Sequence, residues 1–213
     1  MESVEQTSER SFELERIIFF SDAVFAIAIT LLALELRVPE ATTHEPTEAT
    51  AQVLQGLLAQ WPKYLAFFLS FMQVGVYWMA HHRMFRYIVR YDAVLILINL
   101  LLLLFIAFLP FAAGVLGQYG DLQIGVIVYA LTLTLIGFVA TGLWLYASRH
   151  HQLLDKFVSP ELIRFYTLRG LITPSVAGLV IALSFFNPLL ANFCWFLTLP
   201  IQFLLLRLLP APL

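Results

Sequence analysis

A single cysteine, Cys194, stands in 213 residues. It can close no intrachain disulfide, and without a CxxC partner or a Cys/His companion it marks no metal site. Charge is equally scarce: Asp, Glu, Lys and Arg make up 12% of the chain, where a soluble domain carries about a quarter. So few charges cannot cover the surface of a soluble globule. Twelve Lys and Arg against 14 Asp and Glu leave a net charge of -2, and the basic excess that draws nucleic acid phosphates is missing. Nucleic acid is therefore excluded as a partner. The start of the chain also lacks the positive, then apolar, pattern of a signal peptide, because Glu2, Glu5, Glu9, Glu13 and Glu15 stand there against Arg10 alone. The N-terminus is expected to be retained.

What the chain does have is apolar length. Hydrophobic residues make up 61% of it, with 19 Phe, and the mean hydropathy is +0.85. A helix crossing about 30 Å of hydrocarbon needs roughly 20 mostly apolar residues, and the charges divide the sequence into six stretches of that size. They lie at about 16–38, 60–83, 91–117, 122–148, 169–186 and 188–208. Pro39 closes the first, since proline disfavours a helical residue before it. Gly170 to Leu206 carries no charge but is too long for one crossing, and Asn187-Pro188 is its natural break. The expected architecture is an all-α membrane protein of six transmembrane helices per chain, with a segment 1–15 preceding one transmembrane domain over 16–209.

Orientation follows from the basic residues. Arg10, Arg16, Arg83, Arg86, Arg90, Arg149, Lys156, Arg164, Arg169 and Arg207 fall on one side of six alternating helices, and only Arg37 and Lys63 on the other. Both termini are expected in the cytoplasm, and the acidic loop around Glu40, Glu45 and Glu48 on the opposite side. Residues 149–169 read as a solvated connector, or as a short helix lying at the cytoplasmic interface.

Asp22 lies inside the first span, where an ionised carboxylate near the bilayer centre costs about 2.5 to 3.5 kcal/mol. Such a residue needs a partner. At ~1.5 Å per residue, Asp22 sits about 9 Å in from Arg16; Trp78, counted back from Arg83, reaches nearly the same depth, and Asn99 lies slightly deeper. Ser21, Asp22, Trp78, His82 and Asn99 are thus expected to form one polar cluster, with the indole and imidazole N–H groups donating to the carboxylate. Trp78 and His82, four residues apart, share a helix face. Ile27, Leu31 and Leu34 form an apolar stripe at i, i+4, i+7, about 140° around the helix from Asp22. Taken alone, such a stripe reads as a lipid-facing or core-packing surface.

The string RIIFFSDAVFAIAITLLALEL, with Arg16, Ser21-Asp22 and FAIAITLL, resembles the signature of prokaryotic members of the transmembrane protein 175 family, homologues of the lysosomal potassium-leak channel. YWMAHHRMF at 77–85, Asp92, Asn99 and LPF at 109–111 add to the match. The second half resembles the family in hydropathy only. The resemblance implies a potassium-selective cation channel with a fold that lacks the TVGYG filter, and TVGYG is indeed absent here. It implies a homotetramer in the cell membrane, with potassium ions and the lipid bilayer as the other partners and the first helix of each subunit lining a central pore. Ile27, Leu31 and Leu34 match the family's hydrophobic pore-lining positions, and Thr30 matches a threonine proposed to contribute to selectivity. Thr30 can equally bond back to a backbone carbonyl. Arg16 and the Asp22 cluster would brace the first helix and govern gating or assembly. Potassium would pass transiently, with no fixed metal and no cofactor.

Other chemistries are weaker. His81 and His82 point about 100° apart, as do His150 and His151, and no carboxylate follows at ligand spacing. Ser21, His82 and Asp22 hold the residue types of a catalytic centre but read better as a brace, so no enzyme is expected. Glu35 and Arg37 read as a local pair, or as charges that set the field at the pore mouth. The rival function is a proton-coupled transporter with Asp22 and His82 as relay, against which the lack of a second FSD-like half argues.

Overall fold

The structure, a computed structural model, describes residues 2–149 and 153–198 together with 200, 201 and 204. Among these the chain is all-helical. The helices are α1 (Glu2–Leu31), α2 (Pro46–Ala59), α3 (Trp61–Phe85), α4 (Ala93–Tyr119), α5 (Gln123–Arg149), α6 (Pro160–Gly170), α7 (Ile172–Ser184) and α8 (Pro188–Phe193). Short 3-10 turns extend α1 over Leu32–Glu35 and α8 over Cys194–Leu197.

Four stretches are long and apolar enough to cross a membrane: Phe12–Glu35, Ala93–Tyr119, Gln123–Arg149 and Pro160–Ser184. The expected second span is α3, which has the length at 25 residues. It falls short in apolarity because Lys63, Gln73, His81, His82 and Arg83 dilute its hydrocarbon. The expected fifth span starts earlier than residue 169, since α6 and α7 run together through Leu171, which keeps helical backbone angles. Residues 160–169 are thus helix rather than connector: Ser159 caps α6 by accepting from the Leu162 N–H, and Pro160 opens its first turn. Where a sixth span is expected, α8 begins at Pro188 with Asn187 as its cap through the Leu190 N–H, and Pro188–Leu197 is a shorter apolar helix among the described residues; the expected end toward 208, and Arg207, lie outside them.

The acidic loop expected after the first span contains a helix, α2. Pro46 sets its first turn and Glu48 lies near its positive N-terminal end, yet it buries no residue. The sequence reading missed it because α2 is too short for a span and its acids drew the eye to a loop.

The core lies between α4, α5 and α7. Ile106, Leu109 and Ala112 of α4 meet Tyr129, Leu133 and Ile136 of α5, and Ala177 and Val180 of α7 close the layer; all are fully enclosed. Pro110 sits within α4 without breaking it, as membrane helices tolerate when neighbours enclose the freed carbonyl. At one end, the loops after α3 and α5 are tied together: the Val89 N–H donates to Leu153 O, the Asp155 N–H to Tyr87 O, and Ile88 pairs with Leu154. The basic ends of α3 and α5 therefore share one side of the bundle.

Candidate functional site

Helix α1 has two faces of different character. Ser21, Phe25, Ala28 and Leu32, at i, i+4, i+7 and i+11, are buried against α3 and α4. On the other side Ile27 is 58% exposed, Leu31 39% and Leu34 73%. The helical period alone separates them, at about 100° per residue.

The buried face is anchored by a polar chain that crosses three helices. The Asn99 side-chain amide of α4 donates to Ser21 Oγ at 2.9 Å, and Ser21 Oγ donates to Ile17 O at 2.8 Å. With its amide so used, Asn99 turns its carbonyl oxygen to His81 Nε2 at 3.0 Å. His81 is held between the rings of Phe25 and Phe85, with centroids at 5.5 and 4.4 Å. Beside this chain, Trp78 Nε1–H donates to Asp22 Oδ1 at 2.9 Å. A donor fixed in place on a neighbouring helix is what an intramembrane carboxylate requires.

Ser21, Asp22, Trp78 and Asn99 thus come together near one depth, as the counting of residues along the helices anticipated, but in two adjacent pieces. His82 does not join them: it is exposed and stacks on the Trp78 ring at 5.8 Å. His81 takes the buried place. The two differ by one residue, hence by about 100°, and the i, i+4 link to Trp78 selected the wrong one because Trp78 itself lies at the edge of the packed face. A signal was available in α3, where Ser70, Gln73, Tyr77 and His81 are the polar members of one buried stripe.

Arg16 also stands apart. It is exposed, makes no hydrogen bond or ion pair among the described residues, and lines an open cleft with Glu13, Phe20, Tyr91 and Leu100. Thr30 Oγ donates to Ile27 O at 2.8 Å, the backbone bond rather than a free hydroxyl. The donated proton leaves the oxygen lone pairs on the exposed side of the helix. Glu35 and Arg37 form no ion pair among the described residues. Glu35 instead lies directly over Gly114 of α4, where a methyl group would collide with its carboxylate, and it lines a polar cavity of about 110 Å³ with Arg37 and Lys63. His150 and His151 fall outside the described residues.

Asp92 is a further anchor, which the sequence reading used only as a point of resemblance. Its carboxylate caps α4 by accepting from the Leu95 N–H at 2.8 Å, and accepts from Tyr146 Oη of α5 at 2.6 Å. Among the described residues no three His, Cys, Asp or Glu converge as metal ligands. What the site offers chemically is a rigidly seated helix with one free apolar face.

Comparison with known proteins places this arrangement. The family model described as endosomal/lysosomal potassium channel TMEM175 matches residues 16–110, the stretch that holds every candidate site residue. A potassium channel of Chamaesiphon minutus is 36% identical over 178 residues, 82% of this chain and 86% of that protein. A potassium channel of Streptomyces collinus is 33% identical over 174 residues, 80% of this chain and 82% of its own length. The human endosomal/lysosomal proton channel TMEM175 is 29% identical over 167 residues, 78% of this chain but 31% of the human protein. The crystal structure of a lysosomal potassium-selective channel TMEM175 homolog from Chamaesiphon minutus superposes with a TM-score of 0.74 at 34% identity, covering 90% of this chain and 97% of that one.

Proposed function

This chain belongs to the TMEM175 family, and from that premise we propose that it conducts potassium passively through a central pore lined by α1 of each subunit. The family is one of ion channels, and the protein is an integral membrane protein. The proposed assembly is a homotetramer in the cell membrane, with 16–209 as its six-helix channel domain and both termini cytoplasmic.

The observation that carries this reading is the free apolar stripe on a helix whose opposite face is pinned by Ser21, Asp22 and their partners. Four copies of Ile27, Leu31 and Leu34 facing one axis would form stacked apolar rings. Such rings gate by expelling water, and they favour the cation that gives up its hydration more easily, which is potassium rather than sodium. Thr30 neighbours the stripe with its proton already committed to Ile27 O, so its oxygen faces a passing cation as an acceptor only. The Ser21–Asn99–His81 chain and the Asp22–Trp78 pair then hold the pore helix in register during assembly and gating, and Arg16 sets the field at the basic end.

Proton coupling is the second reading, favoured by the name of the human relative. Asp22 and His82 make a poor relay, because among the described residues the donor to Asp22 is the Trp78 indole rather than His82, and an indole N–H donates without accepting a proton in return. One experiment separates the two. Protein in potassium-loaded liposomes, with a membrane-permeant anion such as thiocyanate present to balance charge and no pH gradient imposed, should release potassium while an entrapped pH dye stays flat. Flux that runs only with proton movement would favour the relay. Ile27→Asn and Leu31→Asn should both raise conductance by wetting the constriction, and unchanged flux in both would take these residues out of the pore. A monomeric mass in mild detergent would remove the central axis altogether.

A further inference from the structure

Among the described residues Arg169 is the one Arg, Lys, Asp or Glu that is nine-tenths buried. It ends α6 and borders a cavity of about 40 Å³ between α3, α5 and the α6–α7 junction, lined by Tyr77, Met84, Thr141, Trp144, Tyr166 and Thr173. Its Nη1 is enclosed and has no hydrogen-bond partner among the described residues. A guanidinium does not deprotonate in proteins, so this is a fixed positive charge, and burying one without a counter-charge is costly. No carboxylate lines the cavity. Among the residues whose side chains are described, no Asp or Glu acts on Arg169, and residues 150–152 and 199–213 contain none. The charged side chain that acts on Arg169 is Arg83 of α3, of the same sign. A buried positive group with a second one close enough to act on it thus borders a pocket whose lining holds no negative member.

The surroundings say where that member comes from. Tyr87, Trp144 and Tyr166 cluster beside the two arginines, with ring centroids 5.3 to 6.3 Å apart. Tyr and Trp collect at the headgroup level of a bilayer, and this is the basic end of the bundle, where Arg86, Arg90 and Arg149 also project. Leu168 and Phe157 nearby are exposed and offer apolar surface for a chain. The cavity takes water but is too small to enclose a whole phosphate, so an oxyanion must sit at its mouth. Water inside would satisfy the Nη1–H and leave the charge unbalanced.

We infer that Arg169, together with Arg83, holds the phosphate of an anionic lipid headgroup from the leaflet at the basic end of the bundle. Basic pockets between transmembrane helices are suited to this task, and the guanidinium fork matches phosphate oxygens. The lipid would clamp α6 to α3 and α5 at the corner where Gly170 lies against Thr141.

The test uses the intact assembled protein in nanodiscs of phosphatidylcholine alone or mixed in equal parts with phosphatidylglycerol, read by native mass spectrometry and thermal unfolding. Phosphatidylglycerol should remain bound at about one per chain and raise the melting temperature. R169Q should weaken its retention by about tenfold, R83Q by less, and R149Q, at an exposed arginine, should leave it unchanged. Inorganic phosphate or chloride added to the phosphatidylcholine discs should not reproduce the stabilisation. The inference is overturned by equal melting in both lipids, by full rescue with free phosphate, which would make the ligand a soluble anion, or by R149Q matching R169Q. If R169Q fails to assemble, R83Q and the lipid and phosphate comparisons on the unaltered chain decide the matter alone.

Discussion

Helices α1 and α5 are close in apolarity and opposite in fate. The most apolar windows have a mean hydropathy of 2.5 in α1 and 2.2 in α5, yet 22% of the first is buried within its own chain against 56% of the second. Hydropathy therefore selects both as membrane helices without distinguishing their roles. In lipid, apolar contact with a bilayer tail is about as favourable as with Leu, so burial depends on packing and hydrogen bonds. Helix α5 has its packing inside the subunit. Helix α1 has hydrogen bonds on one face and leaves the other uncovered by its own chain.

Six substitutions break or sharpen that contrast. The largest effect is expected in α5, where Leu133→Ala should cost about 2 kcal/mol or more of stability by opening a void in a fully packed layer; Leu34→Ala on the free face of α1 should leave the melting temperature in detergent nearly unchanged. Next comes Asn99→Ala. It leaves His81 without its partner and Ser21 without its donor, a loss of about 1–3 kcal/mol that should appear as lower thermal stability and as subunit loss on size-exclusion chromatography. Thr30→Val keeps the shape and removes the oxygen. It should reduce potassium over sodium preference by about 1 kcal/mol, roughly fivefold, read as a shift in reversal potential under bi-ionic conditions. The smallest effect belongs to His82→Ala, within about 0.5 kcal/mol of the unaltered protein, since it loses only a ring contact. His81→Ala should destabilise clearly more. Equal effects from the two histidines would erase the distinction between buried anchor and exposed neighbour.

Much of this was legible in the chain. Asp22 in an apolar stretch demanded a donor, and depth counting from flanking arginines found Trp78, because rise per residue is the same in every α-helix. Asn187 and Pro188 gave the break between α7 and α8 through their own backbone preferences. The resemblance rested on residues 16–111, and the family match covers 16–110. Helix α2 escaped because its length and mixed polarity fit neither a span nor a bare loop, and for 149–169 the two open readings, connector or short helix, gave way to a helix from Pro160 that runs on into α7. Glu35 was paired with its sequence neighbour Arg37 while its actual contact, Gly114, is 79 residues away.

The third and fourth apolar spans, the break at Asn187-Pro188 and the need to neutralise a carboxylate at a given depth were set by the sequence alone, since hydropathy, backbone preference and axial rise are local quantities. Azimuth is not local. Which histidine enters the polar chain, where the Thr30 proton goes, and which arginine is left enclosed without a counter-charge all depend on how neighbouring helices are rotated about their axes. One residue turns a helix by about 100°, enough to exchange a buried group for an exposed one, and only the packed bundle fixes that angle.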